Sequence, residues 1–269
     1  MLKFFHISIL ILVIFYLFVL LFMFLFQRSF MYHPDVKNSD DVQINFNYEE
    51  VFIESEKNVL LKSWFSFSDT NKKTILFFHG NAGTLDARIY KLNELKKINT
   101  NFLIISWRGF SGNNGKPSEL GLYKDAQKAV EWLEQKGINK KNIILYGESL
   151  GTGIAIELAT KDEYSGIILE SPYTSMIDMG KKFYPFLPIS ILQKDKYNSL
   201  KKINMIKSPI LVLHGKSDTL VPFYMGKKIY DAANDPKYYY FPDFDNHMMT
   251  YDQNMLKTLS NFVNEISKQ

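Results

Sequence analysis

Ile143-Ile144-Leu145-Tyr146-Gly147-Glu148-Ser149-Leu150-Gly151 is the stretch that decides how this chain is read. Its first four residues form an apolar strand, and Leu150–Thr160 has the composition of the helix that follows. Between them lies G-x-S-x-G, a pattern that chance alone produces in roughly one chain of this length in ten. The setting gives it weight, because a nucleophile elbow requires strand, sharp turn and helix in that order. So tight a turn has no room for neighbouring side chains, hence the flanking glycines. It lifts the Ser149 hydroxyl above the sheet at a helix N-terminus, where the helix dipole favours developing negative charge. The plainer alternative is a glycine-rich turn with a capping serine.

Outward from this turn, strands alternate with amphipathic helices. Val51–Glu54 and Val59–Phe65 read as a leading antiparallel pair. Thr74–Phe78, Phe102–Ser106, Asn142–Tyr146, Ile167–Glu170, Ile210–Leu213 and Tyr238–Phe241 read as further strands. Asp86–Ile98, Glu119–Gln135, Pro222–Ala233 and Met248–Ile266 have helical spacing. This alternation implies an α/β fold, a mainly parallel central sheet with helices on both faces. Residues 172–200 break the pattern. Two prolines in Phe183-Tyr184-Pro185-Phe186-Leu187-Pro188-Ile189 rule out one long helix. The segment reads as a short cap lining an acyl pocket, as an excursion packed on the sheet, or as both.

A serine hydroxyl is a poor nucleophile without a base. The chain has five histidines: His6, His33, His79, His214 and His247. His6 lies in an apolar N-terminal run and His33 just after it. His79 and His214 end strands before glycines, where a structural hydrogen-bonding role is expected. His247 follows Asp243-Phe244-Asp245-Asn246, late in the chain, where the order Ser…acid…His requires the base. Asp218, in the loop after Ile210–Leu213, is the expected acid, and Glu170 is its rival. The oxyanion needs backbone N–H donors. Leu150, directly after the serine, supplies one. The loop His79-Gly80-Asn81-Ala82-Gly83 supplies the other, assigned to Asn81. No P-loop or G-x-G-x-x-G pattern follows a strand, and no His/carboxylate set has metal spacing, so neither cofactor nor metal is expected.

Composition narrows the rest. The 269 residues carry 32 basic and 28 acidic side chains, a net charge of +4 that gives no reason to expect nucleic acid as a partner. Cysteine is absent, so there are no disulfides and no thiol chemistry. Residues 7–26 are apolar except for Ser8 and Tyr16. Twenty such residues rise about 30 Å as a helix and match a bilayer core. They read as a single-pass transmembrane signal-anchor whose partner is the lipid bilayer. The run is longer than a cleavable signal's, and no small-residue cleavage site follows it. Lys3 before the run and Arg28 and Lys37 after it nearly cancel as orientation signals. The short N-terminal stub tilts the expectation toward a non-cytoplasmic catalytic domain. Residues 27–47 then read as a membrane-proximal linker and 48–269 as the catalytic domain, with the cap at about 172–200.

Taken together, these motifs resemble the BEM46-like, ABHD-type branch of the α/β-hydrolases. The resemblance rests on Phe78-His79-Gly80-Asn81-Ala82-Gly83, Trp107-Arg108-Gly109-Phe110, Gly115-Lys116-Pro117-Ser118-Glu119 and Gly147-Glu148-Ser149-Leu150-Gly151. It continues in Tyr184-Pro185-Phe186-Leu187-Pro188, His214-Gly215-Lys216-Ser217-Asp218, Asn246-His247 and the membrane-proximal Gln27-Arg28-Ser29-Phe30-Met31-Tyr32-His33-Pro34. Trp107 stands where the family often has Tyr, and Phe110-Ser111 where a Tyr-Gly pair is common. These departures bear on the pocket and leave the triad alone. The resemblance implies an α/β-hydrolase fold, a Ser149–His247–Asp218 triad, and hydrolysis of a small acyl ester or acyl thioester. Two other readings stay open: a serine peptidase of aminopeptidase type, and a non-catalytic binding protein on the same fold.

Overall fold

The computed structural model describes residues 1–34 and 43–268. Part of the expected linker, residues 35–42, lies outside them. The first element is a helix, α1 (Leu2–Met31), long and apolar enough to cross a membrane. It is longer than the expected span. Gln27–Met31, read from sequence as linker, continue the helix because their side chains find partners on the domain. Gln27 donates to the Leu192 carbonyl at 3.0 Å, and the Arg28 guanidinium pairs with Asp195 at 2.8 Å.

Eight strands form one sheet in the order β1-β2-β4-β3-β5-β6-β7-β8. They are β1 (Glu49–Glu56), β2 (Val59–Ser66), β3 (Thr74–Phe78), β4 (Asn101–Ile105), β5 (Ile143–Glu148), β6 (Gly166–Glu170), β7 (Ile210–Leu213) and β8 (Lys237–Tyr240). The first two pair antiparallel, as the sequence predicts, and β2 joins β4 antiparallel; every pairing from β4 through β8 is parallel. The central strands β3, β4, β5, β6 and β7 are buried throughout, which explains why they read as unbroken apolar runs.

Alternate residues of these strands feed two cores. Leu76, Phe78, Leu145 and Val212 pack beneath α3 (Glu119–Gln135), α4 (Leu150–Ala159) and α8 (Phe223–Ala232). Ile75, Phe77, Ile144 and Leu211 face α2 (Ile89–Leu95) and α9 (Gln253–Ser267) on the other side. The cap holds three short helices, α5 (Met176–Phe183), α6 (Ile189–Leu192) and α7 (Ser199–Lys202).

Two expected helices differ at their ends. Asp86–Ile98 opens with a 3-10 turn over Asp86–Arg88 before α2. The last helix begins at Gln253 instead of Met248. Asp252 caps it, accepting from the Met255 amide at 2.8 Å, and the Thr250 amide is held by the Asp245 carboxylate at 3.1 Å. The preceding residues therefore stay in the loop that carries His247.

Candidate active site

The turn between β5 and α4 holds Ser149 at φ 50°, ψ −114°, a conformation that L-residues rarely adopt. Neighbouring contacts leave no choice at the flanks. A Cβ on Gly151 would collide with the carbonyl of Phe78, and one on Gly147 would come within 2.6 Å of the Gly151 carbonyl. The Ser149 amide is tied down by the Glu170 carbonyl at 2.8 Å. The hydroxyl emerges at the C-terminal edge of the sheet, where ligands bind in open α/β sheets.

The three residues expected to act together converge here from three loops. His247 Nε2 lies 3.0 Å from Ser149 Oγ, and His247 Nδ1 lies 2.8 Å from Asp218 Oδ2. Asp218 Oδ1 accepts from the amides of Leu220 and Val221, both at 2.9 Å. Burial opposes its ionisation, but hydrogen bonds from His214, His247 and the Val221 amide outweigh that and hold the carboxyl well below its usual range. The two loops are cross-linked. Asn246 Oδ1 accepts from the amides of His247 at 2.8 Å and Thr219 at 3.2 Å, and Gly215 packs so closely on the Asp245 backbone that no side chain fits. His214 is fully buried, with Nε2 2.9 Å from the Val221 carbonyl.

Asn81 and Leu150 line the same cavity as Ser149. The Asn81 loop is held from two sides. Its side chain donates to the Met31 carbonyl and its carbonyl accepts from the His33 amide, both at 2.9 Å. His79 fixes the start of the loop. It is fully buried, Nδ1 meets the Gly80 carbonyl at 2.8 Å, and Nε2 faces the Trp107 amide at 3.4 Å. That pattern needs the neutral ring. Burial, with the Arg88 charge adding to it, pushes its pKa down to about 3.

The rival acid, Glu170, is committed elsewhere. Lys91 Nζ bridges Glu170 at 2.6 Å and Glu148 at 2.5 Å, and Arg88 completes the pair with Glu148 at 2.8 Å. Tyr146 and Tyr251 donate to the remaining Glu170 oxygen at 2.8 and 2.7 Å. Two cations and two carboxylates thus balance beneath the serine. Burial disfavours the charged forms, yet mutual attraction raises the pKa of Lys91 and lowers that of Glu148. Sequence reading missed this cluster. Its one trace is a lysine on the apolar face of the helix at Asp86–Ile98.

A cavity of about 320 Å³ opens at Ser149. Its wall is mostly apolar: Met176, Met179, Phe183, Leu187, Ile189 and Leu192 of the cap, Leu220 and Val221 below, and Met23, Phe30 and Met31 of α1. The cap segment does line the pocket. No carboxylate lines it among the described residues.

Comparison with known proteins agrees with this architecture. Residues 69–194 match the family described as Serine aminopeptidase, S33. The α/β-hydrolase domain-containing protein WAV2 of Arabidopsis thaliana is 31% identical over 239 residues, 79% of this chain and 78% of that one. The lysophosphatidylserine lipase ABHD12 of Danio rerio is 33% identical over 195 residues, 65% of this chain and 51% of its own length. Among solved structures, the Pyrococcus furiosus esterase Pf2001 superposes with a TM-score of 0.70 at 22% identity, covering 87% of this chain and 97% of its own. Fold and site define an α/β-hydrolase. Within that class, the chain belongs to the BEM46-like, ABHD-type proteins.

The buried groups around the serine make two tests possible, the first on the charge cluster. Lys91→Met leaves two buried carboxylates facing one another. The full chain in detergent should lose about 3–5 kcal/mol of stability, read from the urea midpoint; an unchanged midpoint would show the pair to be unimportant. The second concerns His79. Its unfolded pKa is about 6.5, so below that pH the unfolded chain binds a proton that the folded chain refuses until about pH 3. Stability should therefore fall as pH drops from 6.5, by up to about 1.4 kcal/mol per unit from this group. His79→Gln should flatten the slope between pH 6.5 and 4.5, and equal slopes would refute the assignment.

Proposed function

We propose that this chain is a membrane-anchored serine hydrolase that cleaves carboxylic ester or thioester bonds of acyl substrates. The observation that carries the reading is the continuous hydrogen-bonded series Ser149 Oγ–His247–Asp218, at 3.0 and 2.8 Å, whose serine lines an apolar cavity. His247 takes the proton of Ser149 as Oγ attacks the acyl carbonyl. Asp218 accepts from Nδ1–H, keeps Nε2 as the base, and stabilises the imidazolium. The amides of Asn81 and Leu150 hold the tetrahedral oxyanion, each worth roughly 3–4 kcal/mol of barrier. The alcohol or thiol departs with the proton from Nε2. Water, deprotonated by the same nitrogen, then releases the acid.

An apolar wall suits an acyl chain, and a lipase and an esterase stand among the similar proteins. The aminopeptidase description of the matched family favours a second reading, peptide cleavage. Recognition of a peptide amine calls for a carboxylate in the pocket, and none lines it among the described residues. The ester reading is therefore preferred. In this proposal residues 7–26 span the bilayer, single-pass, and residues 48–269 do the chemistry, with no cofactor or metal.

The parent in detergent should react with a fluorophosphonate, and Ser149→Ala and His247→Ala should not. Asp218→Asn should lower kcat/KM for an acyl ester by about 10⁴-fold while leaving the unfolding midpoint within about 1 kcal/mol of the parent's. A folded parent that fails to label would discard the catalytic reading. Faster turnover of aminoacyl amides than of acyl esters would replace ester cleavage with peptide cleavage.

A further inference from the structure

The cap carries eleven consecutive uncharged residues, Phe183-Tyr184-Pro185-Phe186-Leu187-Pro188-Ile189-Ser190-Ile191-Leu192-Gln193. Lys181 and Lys182 precede them, and Lys194 and Lys196 follow. The segment turns large apolar side chains outward: Phe183 is 48% exposed, Phe186 66% and Ile191 83%. Apolar groups clustered in this way mark an interaction surface.

Its depth can be read from α1. Residues Phe4 to Gln27 carry no formal charge, and Lys3 and Arg28 bracket them. In a bilayer those two charges seek opposite interfaces. Tyr16 lies twelve residues before Arg28, about 18 Å along the helix axis. That puts it near the middle of a hydrocarbon core about 30 Å thick. Yet the Tyr16 hydroxyl donates to the Phe186 carbonyl at 2.9 Å. The tip of the cap therefore sits at the level of mid-span, and ordinary helix tilts do not lift it out.

Hydrogen bonding supplies an independent argument. Lipid cannot satisfy backbone groups, so a segment in hydrocarbon must satisfy them within the protein. Much of the exposed cap does so, with help from α1. Tyr16 serves the Phe186 carbonyl and Gln27 serves the Leu192 carbonyl. The amides of Leu187, Ile189, Ile191 and Leu192 donate to cap carbonyls. The two nearest bracketing charges are held away from the tip. Lys182 donates to the Thr219 and Leu220 carbonyls at 2.6 and 2.8 Å, and Lys194 stacks on Phe24, one helical turn from Arg28.

We propose that the cap is immersed in the bilayer beside α1 and that the active-site cavity opens directly into the hydrocarbon. Met23 and Phe30 of α1 and Met179 and Leu187 of the cap line that cavity together. A bilayer-resident acyl ester would slide its chain between α1 and the cap and reach Ser149 without crossing water. The substrate half of this proposal rests on the ester-hydrolase reading; the immersion of the cap does not.

The absence of cysteine makes a direct test simple. In the full chain reconstituted into phosphatidylcholine vesicles, Phe186→Cys and Lys161→Cys are each labelled with an environment-sensitive fluorophore. Lys161 lies just past the end of α4 remote from Ser149. The label at 186 should be quenched by lipids bearing a nitroxide deep in the acyl chain and be shielded from aqueous iodide, with the reverse at 161. Quenching at 186 by iodide alone would overturn immersion. In the same vesicles Ile191→Asp should slow hydrolysis of a long-chain acyl ester by about tenfold and leave a water-soluble short-chain ester unaffected. Equal effects on both esters, or no effect on either, would overturn access through the bilayer. If the parent cleaves neither ester, the catalytic reading fails, while the quenching still decides the position of the cap.

Discussion

A forced backbone turn at Ser149 is the constraint on which the rest of the structure depends. The left-handed conformation at this residue costs of order 1–3 kcal/mol, and only over-determination by neighbours keeps it there. Those neighbours are identifiable. The Phe78 carbonyl sits where a Cβ of Gly151 would be, the Glu170 carbonyl holds the Ser149 amide, and Thr152 donates to the Ser149 carbonyl at 3.0 Å. Strands β3, β5 and β6 therefore meet at one peptide. Each must end at the right height for the hydroxyl to face His247, which ties the register of the central sheet to the geometry of the site.

The buried ions complete this support from below. Glu148 is adjacent to the serine, and its carboxylate cannot be solvated there. Arg88 and Lys91 neutralise it, and Lys91 in turn carries Glu170, the last residue of β6. Such pairs contribute little net stability against an apolar core of equal volume. Their effect is geometric. Arg88 also donates to the Ala82 carbonyl at 2.8 Å, and the Gly80 amide donates to Glu148 at 3.3 Å. One charge cluster thereby orients both the turn at Ser149 and the glycine-rich loop that faces it.

What the sequence discloses and what it hides follow from the range of the interactions. The alternation of strands with helices is a local pattern and was legible; Ser149, Asp218 and His247 were picked out by motif and by order along the chain, and the structure brings their side chains within 3.0 Å of one another in series. The choice of Asp218 over Glu170 rested on position alone. Glu170 already accepts from Lys91, Tyr146 and Tyr251, three residues scattered over 160 positions of sequence, which no local pattern could disclose. Lys91 looked like an ordinary helix lysine, because nothing within a helical turn of it is acidic except Glu94, whose side chain pairs with Lys97 instead. Residues 27–31 looked like linker because Gln27 and Arg28 end an apolar run. They are helix because Leu192, Lys194 and Asp195, far along the chain, supply their partners.

That last difference changes what the N-terminal helix is for. A helix joined by a flexible linker would leave the α/β domain indifferent to it. Here Arg28 and Tyr32 both reach Asp195, a carboxylate only 3% exposed, and the Glu119 amide at the start of α3 donates to the same group. Removing the helix would strand a buried charge, which costs far more than the loss of a surface contact. The end of α1 also holds the Asn81 loop through the Met31 carbonyl, and the His33 amide holds it from the adjoining residue. The helix is therefore a structural wall of the cavity at Ser149, and a shift of its C-terminal end would be transmitted to the Asn81 loop through two hydrogen bonds.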